Sequence, residues 1–188
     1  MKHPAASDFG AAQDLLQQGK LVVMPTDTIY GVIASAFHQK AIGNLYKLRR
    51  EDTAKPFIIL IADRSDIQLF GIEASPLVQE RLDRLWPGPT SIALECPDPE
   101  YAYLHRRHNS LAFRVPDYPE LRHFLRQTGT LAAPSANLAG QLPATTVAEA
   151  EAYFGSQVAA YIDGGPIAGS ASRLIALSPD GSEQILRP

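Results

Sequence analysis

A single cysteine, Cys96, leaves this 188-residue chain without a partner for an intrachain disulfide or a second thiolate for a cysteine-based metal cluster. Cysteine usage of this kind is expected of a reducing, cytoplasmic setting. Long apolar runs are also missing. No stretch approaches the roughly 18 apolar residues that a membrane-spanning helix requires. The first 20 residues carry Lys2, His3, Asp8 and Asp14 in place of a sustained apolar segment, so neither export nor membrane insertion is expected. Charge of one sign is scarce as well: 17 Lys plus Arg face 20 Asp plus Glu, for a formal charge of −3. That balance argues against a protein that coats DNA, although a local basic patch still binds polyanions against a neutral background. Fixed-period repeats and low-complexity segments are absent, which sets aside solenoids and arrays. So are the G-x-x-x-x-G-K-[ST] loop, G-x-G-x-x-G after the first strand, the G-x-S-x-G elbow and H-E-x-x-H.

What remains is an ordinary globular composition, 45% apolar and 20% charged, in a chain of a length that fits one α/β domain over residues 1–188. Phe9, Ala12, Leu15 and Leu16 recur at helical spacing, with Ser7 or Asp8 as the expected cap and Gly19 as the stop. A strand Leu21–Met24 follows. Ala41, Ile42, Leu45 and Leu48 predict a second helix, and the apolar run Phe57–Ala62 predicts a strand covered on both faces. Further helices are expected over Pro76–Leu85, Leu121–Gln127 and Val147–Phe154. Further strands are expected at Ser91–Glu95, Leu111–Val115, Thr130–Ala133, Ala159–Ile162, Leu174–Leu177 and Gln184–Leu186. The alternation gives one sheet of about seven strands. Pro and Gly gather in Trp86-Pro87-Gly88-Pro89-Thr90, Pro134-Ser135-Ala136-Asn137 and Asp163-Gly164-Gly165-Pro166, each at a strand edge, where α/β sites are usually built.

The most informative run is Met24-Pro25-Thr26-Asp27-Thr28-Ile29-Tyr30-Gly31, which sets two threonines, a carboxylate and a glycine directly after a short apolar strand. Beyond it come Lys47, Arg49, Arg50 and Lys55, a cationic cluster suited to phosphate. Taken alone, the cluster reads equally as a solvated helix end with Glu51 and Asp52 as partners. His105-x-x-His108 has the spacing of metal ligands but sits in an Arg-rich loop without a third ligand nearby, and a solvated loop is the better reading. Ser135 has no base paired with it in sequence and reads as a turn residue, and Trp86-Pro87-Gly88-Pro89 reads as a rigid turn.

In order along the chain stand Pro-Thr-Asp-Thr-Ile-Tyr-Gly, Lys47-Leu48-Arg49 with a later Lys55-Pro56, Trp-Pro-Gly-Pro-Thr, Ser110-Leu-Ala-Phe-Arg114-Val-Pro, Pro-Ser-Ala-Asn and Asp-Gly-Gly. This ordered set, from about Leu21 to Arg187, resembles the YrdC/TsaC family. The resemblance implies a twisted mixed sheet flanked by helices around a concave basic pocket. It also implies an L-threonylcarbamoyladenylate synthase, which joins L-threonine, bicarbonate and ATP, with Mg²⁺, into threonylcarbamoyl-AMP and pyrophosphate for modification of an adenosine beside the tRNA anticodon. By the same resemblance Thr28, Arg114, Ser172 and Ala133 would contact threonine. Arg49, Lys55, Ser110, Ser135, Asn137 and Arg187 would contact ATP, Arg49 and Lys47 would be catalytic, and no metal-ligating residue is named.

Two departures from the family pattern stand out: five residues separate Arg49 from Lys55 where many members have three, and Arg173 follows Ser172 where a threonine is common. The short C-terminus resembles the single-domain type, whose product passes to separate threonylcarbamoyl transferase proteins. Two alternatives remain at this point: a relative that makes a carbamoyl adenylate, and an RNA-binding relative that contacts tRNA or double-stranded RNA, for example through Arg106, Arg107, Arg122 and Arg126.

Overall fold

The computed structural model describes residues 9–51 and 55–188. The cap expected at Ser7 or Asp8 lies outside the described residues, as does Asp52.

Strand β1 (Val22–Pro25) turns through residues 26–29 into β2 (Tyr30–Ser35), pairing Val22 with Ile33 and Pro25 with Tyr30. Sequence periodicity does not mark β2. Tyr-Gly-Val-Ile-Ala-Ser shows no polar alternation because the strand is buried on both faces, and its glycine mimics a loop. With β3 (Ile58–Leu60), β4 (Thr90–Glu95), β5 (Ser110–Arg114), β6 (Leu131–Ala132), β7 (Ala160–Tyr161), β8 (Arg173–Leu177) and β9 (Glu183–Arg187), the described residues form one sheet of nine strands rather than about seven. Its order is β7-β1-β2-β6-β3-β5-β4-β8-β9. Parallel pairs (β1 with β7, β3 with β5, β4 with β8) are interspersed among antiparallel ones, so the sheet is mixed.

Helix α1 is Gly10–Gln17. Helix α2 (Gln39–Arg49) starts under His38, whose Nδ1 accepts from Ala41 N at 3.2 Å, and stops at Arg50 in the left-handed region (φ 52°). Pro76 and Pro119 open α3 (Pro76–Leu85) and α5 (Pro119–Thr128), where a missing N–H costs nothing. Between them lies α4 (Ala102–His105), one turn that the sequence reading left as loop. Helix α6 (Val147–Phe154) is capped by Thr146, which accepts from Glu149 N.

Strand alternation sorts the core into two layers. Val23, Val32, Ile59, Ile92, Phe113 and Ile175 pack with residues of α2, α3 and α6, whereas Val22, Met24, Ile33, Leu60 and Leu131 pack with α1 and α5. Ala93 and Ala112, directly paired across β4 and β5 and opposite in facing to Ile92 and Phe113, line a cavity instead. The fold thus leaves one stretch of sheet face open between covered ones.

Phe113 is fully buried, with its ring 5.1 Å from that of Phe70. Phe113→Ala is expected to cost about 3–5 kcal/mol, read as a lower urea midpoint at unchanged m-value.

Candidate active site

The turn between β1 and β2 is closed by its own hydroxyls. Thr26 Oγ1 donates to Ile29 O (2.7 Å) and accepts from Thr28 N (3.2 Å) and Ile29 N (3.3 Å). With that proton committed, the Thr28 hydroxyl is the donor in the 3.1 Å contact between the two side chains, and it accepts from Arg114 Nη1 at 2.8 Å. Arg114 ends β5 beneath this turn and is buried. Its Nη2 lies 3.0 Å from Asp27 Oδ1, an ion pair set off the ideal N–H direction, and Asp27 Oδ2 accepts from Asp117 N at 3.2 Å. Burial pushes the guanidinium below its ordinary pKa, and the Asp27 carboxylate opposes that shift. Arg114 Nε has no hydrogen-bond partner among the described residues, which leaves a buried donor on the guanidinium that borders the cavity.

A second cationic group enters from the end of α2. Arg49 Nε donates to Asn137 O at 3.1 Å, Nη1 pairs with Glu51 at 3.3 Å, and the guanidinium lies over the Phe57 ring at 5.7 Å. Burial lowers its pKa while Glu51 holds it up. Arg49, Lys55, His108, Arg114 and Arg187 all line one cavity of about 550 Å³, where Glu51 is the only carboxylate among the described residues. Its volume is within the range of small-molecule sites, and its charge suits an anion.

Of the residues named from sequence, Thr28, Arg49, Lys55, Ser110, Arg114, Ala133, Ser135, Ser172 and Arg187 line this cavity together. Ser172 Oγ lies 2.8 Å from Ser91 Oγ, and its carbonyl accepts from Arg187 Nε (2.9 Å) and Nη2 (2.7 Å), tying β9 to the cavity wall. Arg173, where the family commonly has threonine, begins β8 with its N–H on Pro89 O.

Lys47 and Asn137 do not line the cavity. Lys47 borders a separate depression with Gly19, Lys20 and Leu21, because residues two apart on a helix point to nearly opposite sides. Asn137 is buried behind the wall, its amide donating to Leu138 O (2.8 Å) and Gln141 O (2.9 Å), so it shapes the turn that supplies the Arg49 acceptor.

His105 is not solvated. It is buried, its Nδ1 accepts from Arg107 N at 3.2 Å, and its Nε2 lies 3.3 Å from Asp98 O. His108 lines the cavity, as does Phe57; an apolar strand pattern does not mark Phe57 as a lining residue, and only the fold brings the His108 loop to this cavity. The arginines considered for RNA are divided between elements. Arg122 and Arg126 on α5 both pair with Asp63, while Arg106 covers the Tyr46 ring. Of the three Pro/Gly-rich loops, Pro134-Ser135 lines the cavity. Trp86 instead donates to Thr90 O, and Gly164 and Gly165 clasp the Tyr30 hydroxyl. Among the described residues no group of three His, Cys, Asp or Glu converges as metal ligands, and no helix is long and apolar enough to cross a membrane.

The family model for Sua5/YciO/YrdC proteins, described as telomere recombination, matches residues 14–188. The chain belongs to the Sua5/YciO/YrdC family. A Bacillus subtilis family member named threonylcarbamoyl-AMP synthase is 32% identical over 94% of this chain, and one from Mycobacterium tuberculosis named putative threonylcarbamoyl-AMP synthase is 30% identical over 95%. The crystal structure of P. abyssi Sua5 complexed with L-threonine superposes at a TM-score of 0.89, with 25% identity over 98% of this chain. The chain spans about half of the first and third of these Sua5/YciO/YrdC relatives (52% and 54%) and 82% of the second.

Gly169 passes so close to the Thr26–Ile29 turn that a Cβ there would overlap the Thr28 carbonyl, whereas a Cβ on Gly43 in α2 would meet open space. Gly169→Ala is therefore expected to destabilise by about 1–3 kcal/mol and Gly43→Ala to stabilise by about 0.5–1 kcal/mol, compared by thermal unfolding.

Proposed function

We propose that this cavity synthesises L-threonylcarbamoyladenylate from L-threonine, bicarbonate and ATP. The observation that carries the reading is that a single cavity is bordered both by a buried guanidinium held beside a threonine hydroxyl and by further cations at Arg49, Lys55 and Arg187. The first suits an amino-acid carboxylate and the second a polyphosphate. The names of the relatives, and the threonine in the P. abyssi complex, support it.

In this reading the amine of threonine and bicarbonate condense to a carbamate with loss of water. A carbamate oxygen then attacks the α-phosphorus of ATP, and the bond to the leaving pyrophosphate breaks. No protein nucleophile is needed, so the chain acts by positioning ligands and neutralising charge. Arg114, whose buried Nε has no partner among the described residues, takes the threonine carboxylate. Thr28, Ser172 and Ala133 shape that end, while Arg49 and Lys55 hold the triphosphate and Ser110, Ser135 and Arg187 the nucleotide. Fixed cations in a partly water-excluded site stabilise developing phosphate charge more than they would in water. Asn137 serves through its carbonyl bond to Arg49, and Lys47 has no part in the cavity. The carboxylates nearest the reactants, Asp27 and Glu51, are already paired with Arg114 and Arg49, so Mg²⁺ enters as the ion carried on the ATP phosphates. The product then serves tRNA modification in the cytoplasm through separate transferase proteins.

Purified protein with ATP, Mg²⁺, bicarbonate and threonine is expected to release pyrophosphate only when threonine is present. ATP binding without threonine-dependent release would sink the reading. Arg49→Ala is expected to lower turnover by roughly 10²- to 10³-fold, measured in the same assay, with circular dichroism confirming that the variant is folded.

A further inference from the structure

Tyr46 does not line the cavity, yet two segments of its wall, residues 55–57 and the loop that begins at Arg106, converge on this side chain. The ring stacks on Phe57 at 4.0 Å and 20°, and Phe57 in turn lies beneath the Arg49 guanidinium. The hydroxyl donates to Lys55 O at 2.9 Å, which pins the backbone of the second cation. With one face taken by Phe57, the ring receives Arg106 at 4.5 Å from its centroid. Arg106 opens a loop in which Arg106, Arg107 and Asn109 all have positive φ (53°, 73° and 53°), and this loop carries His108 to the cavity. Non-glycine residues hold that conformation only where surrounding contacts enforce it. The Arg106–Tyr46 contact is one such tether, and the acceptance of Arg107 N by His105 is another.

We infer that Tyr46 is a positioning residue that presets Arg49, Lys55 and the His108 loop as one anion-receiving wall, acting through stacking and one carbonyl bond without touching the ligand. The inference rests on the proposed reading in taking ATP as the anion. Cation–π and aromatic contacts of this kind are modest individually, but here they run in series from Arg49 through Phe57 and Tyr46 to Arg106. Loss of the ring frees Phe57 and Arg106 together, whereas loss of the hydroxyl alone releases only the Lys55 carbonyl. The Thr28–Arg114 end shares none of these contacts.

The test is calorimetric titration of the purified chain with Mg·ATP and, separately, with L-threonine, alongside the pyrophosphate assay. Tyr46→Leu is expected to weaken ATP affinity about tenfold while threonine affinity stays within about twofold. Tyr46→Phe, which keeps the stack, is expected to stay within about threefold for both ligands. If Tyr46→Leu does not fold, Arg106→Ala serves in its place, with an expected loss in ATP affinity of about threefold. A folded Tyr46→Leu with native ATP affinity, or one that loses ATP and threonine equally, would overturn the assignment, the second outcome marking general packing. Native protein that binds ATP but releases no pyrophosphate with threonine overturns the proposed reaction alone, and the ATP affinities still decide for or against Tyr46. Native protein that binds no ATP overturns both.

Discussion

The site depends first on keeping one guanidinium charged where water hardly reaches it. Arg114 sits at the end of a central strand, and its desolvation is offset by Asp27 and Thr28, two residues of the turn between β1 and β2. Buried pairs of this type seldom add net stability, yet removing one partner costs about 3–5 kcal/mol because the other charge is stranded. The pair therefore fixes relative position: it locks the threonine-bearing turn to β5, three places beyond β2 in the sheet order. The Thr26 hydroxyl holds the turn rigid, and the close passage of Gly169 leaves it no room to relax.

The surroundings of Arg49 are built differently. Arg49 is balanced by Glu51 close in sequence, and its direction is set by the Asn137 carbonyl, 88 positions away, and by the Phe57 ring. One guanidinium is thus in an ion pair in a nearly dry setting and the other rests on an aromatic and carbonyl scaffold. In the proposed reading, such asymmetry distinguishes the place of a small carboxylate from that of a larger polyanion.

Much of the fold was legible because amphipathic helices and apolar strands announce themselves by period. The helices at Pro76 and Val147 and the strands near Ile58 and Phe113 fall where the pattern put them. Strand β2 escaped because burial on both faces erases the alternation that marks a half-exposed strand. His105 was misread for a related reason: an imidazole among arginines looks solvated until the fold supplies Arg107 N and Asp98 O as its partners.

By itself the sequence determined the element types, the order of the motifs and the chemistry available to them, since residue identity sets charge, hydrogen-bonding capacity and local backbone preference. Which of those groups meet was decided only by tertiary structure. Lys47 and Arg49 are near neighbours in sequence, but the helix turns them to different surfaces, while Arg114 and Thr28, 86 positions apart, are joined at 2.8 Å. Asn137, placed at the nucleotide by its motif, lies behind the wall and acts through its backbone. Direction and burial are properties of strand pairing and helix phase, and a linear pattern encodes them only through contacts between distant residues.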